Sequence, residues 1–166
     1  MAAGLNAEVD QSQELVFEEV GASGEGPDGF VTHVIQDHYG FMWFASMKVL
    51  YRYDGYEYTH FKYKPNDPKS ISGRAIQCVH EDKDGVIWLG MMNSLDRFNR
   101  GTREFSHYRT AIKRSPNVEY SMILAIRDSS VLPGTLWVST ANGLERFDKK
   151  TGKFSVDIVY AAYVAD

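Results

Sequence analysis

Residues 82–98, DKDGVIWLGMMNSLDRF, decide the fold. Asp82 and Gly85 mark a turn, Ile87 and Trp88 a buried strand, and Arg97 and Phe98 the strand after it. The same marks stand at Asp37, Gly40, Trp43, Arg52 and Tyr53, and again at Asp128, Gly134, Trp137, Arg146 and Phe147. The tryptophans are 45 and 49 residues apart, and the arginines repeat both steps. In each copy Gly precedes Trp by 3 residues and Arg follows it by 9. A period in the forties carrying Trp, Gly and Asp is the mark of a β-propeller blade. The fold expected is all-β: about three blades of four antiparallel strands, forming a fragment of a larger propeller.

Outward from that stretch, the chain divides into a leader or disordered end at 1–14, a lone strand at 15–20, and blades at 30–63, 74–108 and 118–157, with a tail at 158–166. Residues 21–29, GASGEGPDG, read as loop. Asp54-Gly55 reads as a two-residue hairpin, because Asp and Gly tolerate positive φ. Ser129 to Pro133 lengthens the first turn of blade three by three residues in this alignment. Phe17 and Val20 share the spacing of Phe105 and Tyr108, so the strand at 15–20 reads as the outer strand of an incomplete blade. Three blades and a spare strand do not make a ring of the usual ~4–8 blades. Open blade faces would expose apolar strands, so self-association through them is expected.

Composition narrows the function. The chain has 166 residues, 43% hydrophobic and 13% aromatic, enough for a sizeable core. Its net charge is −4 without a basic cluster, which argues against nucleic acid as a partner. The single cysteine, Cys78, excludes an internal disulfide and a Cys-based metal site. Residues 1–15 lack the basic start and apolar block of a signal peptide.

The copies resemble the two-component-regulator propeller repeat, whose usual form is Asp-x-x-Gly-x-Ile/Leu-Trp-Ile/Leu-Gly-Thr, then Gly-Leu, then Arg-Tyr/Phe-Asp. Blade two carries Asp82, Gly85, Trp88, Gly90, Arg97 and Phe98; blade one carries Gly40, Trp43, Arg52, Tyr53 and Asp54. Blade three carries Trp137, Thr140, Gly143, Leu144, Arg146, Phe147 and Asp148. The resemblance implies a periplasmic or extracytoplasmic sensing region of a bacterial membrane-bound regulator, a hybrid histidine kinase or diguanylate cyclase. It implies a membrane link only through segments outside this chain.

The repeated residues are read as structural, because one active site is needed once, whereas these positions recur. The tryptophans should fill gaps between blades, the glycines serve turns, and Asp37, Asp82 and Asp128 cap turns through backbone N–H groups. No phosphate loop, His-Glu-x-x-His or Gly-x-Ser-x-Gly is present, so neither an enzyme nor a cofactor or metal is expected. The five histidines lack ligand spacing, and Asp82 and Asp84 sit in a loop too short for an EF-hand. Propellers bind at the channel mouth, which singles out His33, Arg74 and Glu119 for a small molecule such as a saccharide. The copies disagree at the second hairpin: blade three has Asn142-Gly143, blade one Met47-Lys48-Val49, and blade two Met91, Met92, Asn93 and Ser94. Met suits adaptable apolar surfaces, so Met47, Lys48, Met91 and Met92 are candidates for a partner contact. The leading function is a non-catalytic, ligand-sensing propeller fragment. A protein-interaction scaffold is the alternative, and a propeller lyase or hydrolase stands behind both.

Overall fold

The computed structural model describes residues 26, 27, 29–111 and 121–159. The strand expected at 15–20 lies outside them. Among the described residues there are twelve strands and no helix. Blade one is β1 (Val31–Gln36), β2 (Met42–Ser46), β3 (Val49–Tyr53) and β4 (Tyr58–Lys62). Blade two is β5 (Cys78–Glu81), β6 (Ile87–Gly90), β7 (Ser94–Asn99) and β8 (Glu104–Arg109). Blade three is β9 (Ile123–Asp128), β10 (Thr135–Thr140), β11 (Gly143–Asp148) and β12 (Lys153–Val159). Each blade is an antiparallel sheet with its strands in chain order.

Residues opposite each other in a ladder share a face of the sheet. In blade one Ile35, Trp43, Arg52 and Thr59 stand in one such row, and Ala45, Leu50 and Phe61 in the next but one. That face packs on Val79, Ile87, Leu89, Phe98 and Phe105 of blade two. The other face of blade two, with Cys78, Trp88 and Leu95, packs on Ile126, Leu136, Val138 and Phe147. Trp43 and Trp88 fill these two junctions and are buried. Trp137 is only half-buried, because its face meets no further blade among the described residues.

The register corrects the alignment of the third copy. Trp43 lies opposite Ile35, Trp88 opposite His80, and Trp137 opposite Arg127. Counting from there, the place of Asp37 and Asp82 is held by Ser129, not Asp128. The backbone agrees: Asp37 N–H donates to Phe41 O, Asp82 N–H to Val86 O, and Ser129 N–H to Thr135 O, each at 2.9 Å. The turn in blade three is therefore two residues longer, not three. Asp37 Oδ1 accepts from the N–H of Tyr39 and Phe41, and Asp82 Oδ1 from Asp84 and Val86. Ser129 Oγ takes over this capping toward Val131 and Leu132.

The hairpins also differ from expectation. Asp54-Gly55 is part of a four-residue loop, since Tyr53 lies opposite Tyr58. Its carboxylate accepts from Tyr56 and Glu57 N–H, which stabilises the wider turn. The second hairpin closes on two residues in all three blades by different means. In blades one and three a hydroxyl at the start of the turn, Ser46 or Thr140, donates to the carbonyl of Val49 or Gly143. In blade two Asn93 takes φ +66°, which Asn tolerates better than most residues.

Candidate functional site

Two polar constellations are built on this frame. The first lies along the β1–β2 and β5–β6 turns, where one blade locks to the next. The Asp37 carboxylate is wholly buried at its side chain. Its Oδ2 accepts from Trp43 Nε1 at 2.8 Å and from Arg100 Nη1 at 2.7 Å. Arg100 comes from the β7–β8 turn of blade two and also reaches Glu81 Oε1 at 2.9 Å and Gly85 O at 3.1 Å. The next junction repeats the device. Asp82 Oδ2 accepts from Trp88 Nε1 at 2.8 Å and from Lys149 Nζ at 3.0 Å, and Lys149 also bonds Asp84. Burial alone would raise both aspartates; the indole and cation hydrogen bonds outweigh it and hold them below 3.8. Asp128, displaced from the capping role, bonds His80 Nε2 at 3.0 Å across the junction of blades two and three.

The second constellation ties the crossover between blades one and two to β7 and β8. Asp96 is fully buried. Its Oδ2 accepts from Ser72 N–H at 2.7 Å, and its Oδ1 from Ser94 Oγ at 3.0 Å and His107 Nδ1 at 3.0 Å. The second ring nitrogen of His107 lies 3.0 Å from Pro68 O. A carboxylate and a carbonyl both only accept, so both ring nitrogens must donate and the ring is an imidazolium. Accordingly the Asp96 hydrogen bond raises His107 above its ordinary 6.5. Ser72 and Ser94 bond each other at 2.6 Å. Serine, histidine and aspartate thus meet, but the carboxylate stands between the other two and the free imidazole edge is occupied. This is a latch, not a nucleophile with its base. Glu145 occupies the position of Asp96 in blade three and accepts from Ala111 N–H at 2.6 Å. Beside the latch lies a cleft of about 380 Å³, with Lys64, Ser72, Asn93, Ser94, His107 and Arg109 in its wall.

The residues singled out from the sequence fare differently. His33 is half-buried on β1 and Arg74 is exposed ahead of β5; no hydrogen bond or ion pair among the described residues joins them. Glu119 lies outside the described residues. Met47 and Lys48 are exposed at the blade-one hairpin. Met91 is corrected: it is 1% exposed and belongs to the core between blades one and two, because its side chain points into that junction. Met92 pairs across a bridge with Met122, so part of its surface serves the chain itself. Arg100, Lys149, Asp96 and His107 were missed. The available signal was the repeat frame: Arg100 and Lys149 each stand three residues after the repeated arginine, and Asp96 and Glu145 one before it.

Fold and junctions together define a stack of propeller blades joined by repeated acid–cation locks. Residues 70–93 match the family described as two component regulator propeller. The extracellular domain of the hybrid two component system BT3049 from B. thetaiotaomicron is similar to this chain, with 26% identity and a TM-score of 0.68. The match covers 84% of this chain and 20% of that one. Two structures of the extracellular domain of BT4673 from the same organism, named a one component system in one and a hybrid two component system in the other, share its fold. Their identities are 23% and 24%, with TM-scores of 0.61 and 0.62, over 80% and 85% of this chain and 19% and 20% of theirs. The chain therefore spans about a fifth of the domains it resembles. No curated protein matches it.

Proposed function

We propose that the chain is a non-catalytic part of an extracytoplasmic sensor propeller, which binds a small polar ligand and passes the change to a membrane-linked output domain elsewhere. The observation that carries this reading is the likeness to the extracellular domain of a two component system. The ligand class follows from the cleft. Lys64 and Arg109 give its wall two cations against the Asp67 carboxylate, while the charge of His107 is balanced by Asp96. An acidic saccharide or another small carboxylate suits it better than a neutral sugar. His33 and Arg74 remain a second place for a ligand, at the channel side.

A thermal-shift panel of neutral and acidic oligosaccharides tests the reading. A reproducible rise in melting temperature with acidic members, lost in Arg109→Ala and Lys64→Ala, supports it. No shift across the panel removes the sensing role. The second reading is an interaction scaffold, favoured by the exposed pair Met47 and Lys48. Loss of a captured partner on Met47→Ser with Lys48→Ser, in a protein that binds no saccharide, would turn the assignment to it.

A further inference from the structure

The blades disagree at one turn beside the crossover. Asn99 to Glu104 in blade two and Asp148 to Lys153 in blade three fold alike: Arg103 N–H donates to Asn99 O at 2.8 Å, and Gly152 N–H to Asp148 O at 2.9 Å. The residue that closes the turn has positive φ in both, +59° at Arg103 and +68° at Gly152. Glycine takes that backbone without strain, and arginine does not. In blade three the glycine also serves packing: a Cβ at Gly152 would lie 2.9 Å from the Tyr108 ring, so the ring lies on the bare turn. Phe61 holds the place of Tyr108 in blade one, opposite Leu50 as Tyr108 is opposite Leu95. Between Phe61 and Arg103 the junction stays open as a cleft of about 210 Å³. An exposed arginine on strained backbone, where the next blade has glycine, points to a use for its side chain.

Charge says what that use is. In the cleft wall Lys69 is bonded to Glu104 at 2.7 Å, and Lys64 lies 3.9 Å from Asp67. The Arg103 guanidinium has no hydrogen bond or ion pair among the described residues and is the cation left over. Lys62 only borders the cleft, since it alternates with Phe61 onto the other face of β4. The larger cleft, beside the His107–Asp96 latch, likewise has one cation in excess, Arg109. The two clefts share Lys64, Asp67 and Ile71, so they flank one ridge of the crossover. Arg103 immediately precedes β8 and Arg109 ends it, six residues on and roughly 20 Å along the strand. Two excess cations at that separation suit an anion whose carboxylates are spread along its length, and a single sugar acid is too short to meet both.

We propose that the cleft at Arg103 is a second anion subsite, and that the two clefts together take a linear acidic oligosaccharide laid across the Lys64–Asp67 ridge. The proposal rests on reading the larger cleft as an acidic-saccharide site. Once one end of a chain is bound, engaging the other end is intramolecular, so affinity grows steeply with chain length until both clefts are filled. The net charge of −4 gives the protein no general attraction for a polyanion.

Titration calorimetry of the full chain with linear galacturonate dimers and hexamers is the test. The hexamer should bind about tenfold more tightly than the dimer, or better. Arg103→Gly should remove most of that gain and leave the dimer unchanged, while its melting temperature holds, because glycine accepts the positive φ. Lys83→Ala removes an exposed cation outside both clefts and should leave both affinities as they are. Equal affinity for the two lengths overturns the second subsite and leaves the larger cleft's reading standing. So does a loss on Arg103→Gly as large for the dimer as for the hexamer, or an equal loss on Lys83→Ala. Binding of neither length overturns both.

Discussion

Arg100 carries more of the blade stacking than its place in an exposed-looking turn implies. Its side chain is 24% exposed, yet it is the cation for an Asp37 carboxylate that has no exposed surface. Arg100→Ala would leave that carboxylate buried with the Trp43 indole and the Tyr39 and Phe41 N–H groups but without its cation. A loss of about 2–4 kcal/mol in urea denaturation is expected, discounted from a fully buried pair because the guanidinium is partly solvated. Adding Asp37→Asn to Arg100→Ala should recover part of it, since a neutral amide needs no cation; failure to recover any would assign the loss to packing on Tyr39 and Trp43. Asp37 and Asp82 both titrate below 3.8. Their folded-state values are depressed, so their contribution is present above 3.8 and is lost as pH falls through the folded value. Cys78 lies at the same scale. Burial pushes its thiol up to about 12, so a thiol reagent at neutral pH should leave it unmodified until the protein unfolds. Labelling at the native rate of a free thiol would show that the junction of blades two and three opens.

At the scale of elements, the crossover after β4 is fastened by the His107–Asp96 latch. The folded-state value of His107 is raised, chiefly by the Asp96 hydrogen bond. Its stabilisation is therefore complete below 6.5 and disappears as pH rises through the folded value. The urea midpoint of the wild type should fall across that alkaline window, while His107→Gln, which cannot carry the charge, should show a flatter profile and start lower. Parallel profiles would remove His107 as the titrating group. The strands and their order were legible in the sequence, because alternation and turn residues are local signals. The hairpin at Asp54-Gly55 was not, since the Asp54 carboxylate stabilises a wider loop than the Asp-Gly pair signals. The register of blade three was misread for a related reason. Asp128 and Ser129 both cap turns well, and only the ladder shows that Arg127 faces Trp137.

For the whole molecule, the two cores share blade two, so its two faces couple blades one and three. Gly90 controls the closer of these approaches. A Cβ there would lie 2.5 Å from Cys78 Sγ and 2.9 Å from the Ile123 backbone oxygen, which cannot yield. Gly90→Ala should cost about 1–3 kcal/mol by overpacking. In a stack that holds by neighbour contacts, the loss should appear as faster hydrogen exchange in β9–β12 first, with β1–β4 less affected. Uniform acceleration across all strands would mean that the three blades unfold as one unit.

The sequence by itself determined the blade, its repeat and the strand order, because each depends on residues close together along the chain. It also contained the acid–cation lock, but as an unread pattern: Arg100 and Lys149 look like ordinary turn residues until the neighbouring blade is in place. The tertiary structure decided which partner each buried charge meets, that Met91 is core while Met47 is surface, and that Ser129 stands in for an aspartate. These are contacts between residues some 20–70 positions apart, and which of them form depends on how one sheet sits on the next.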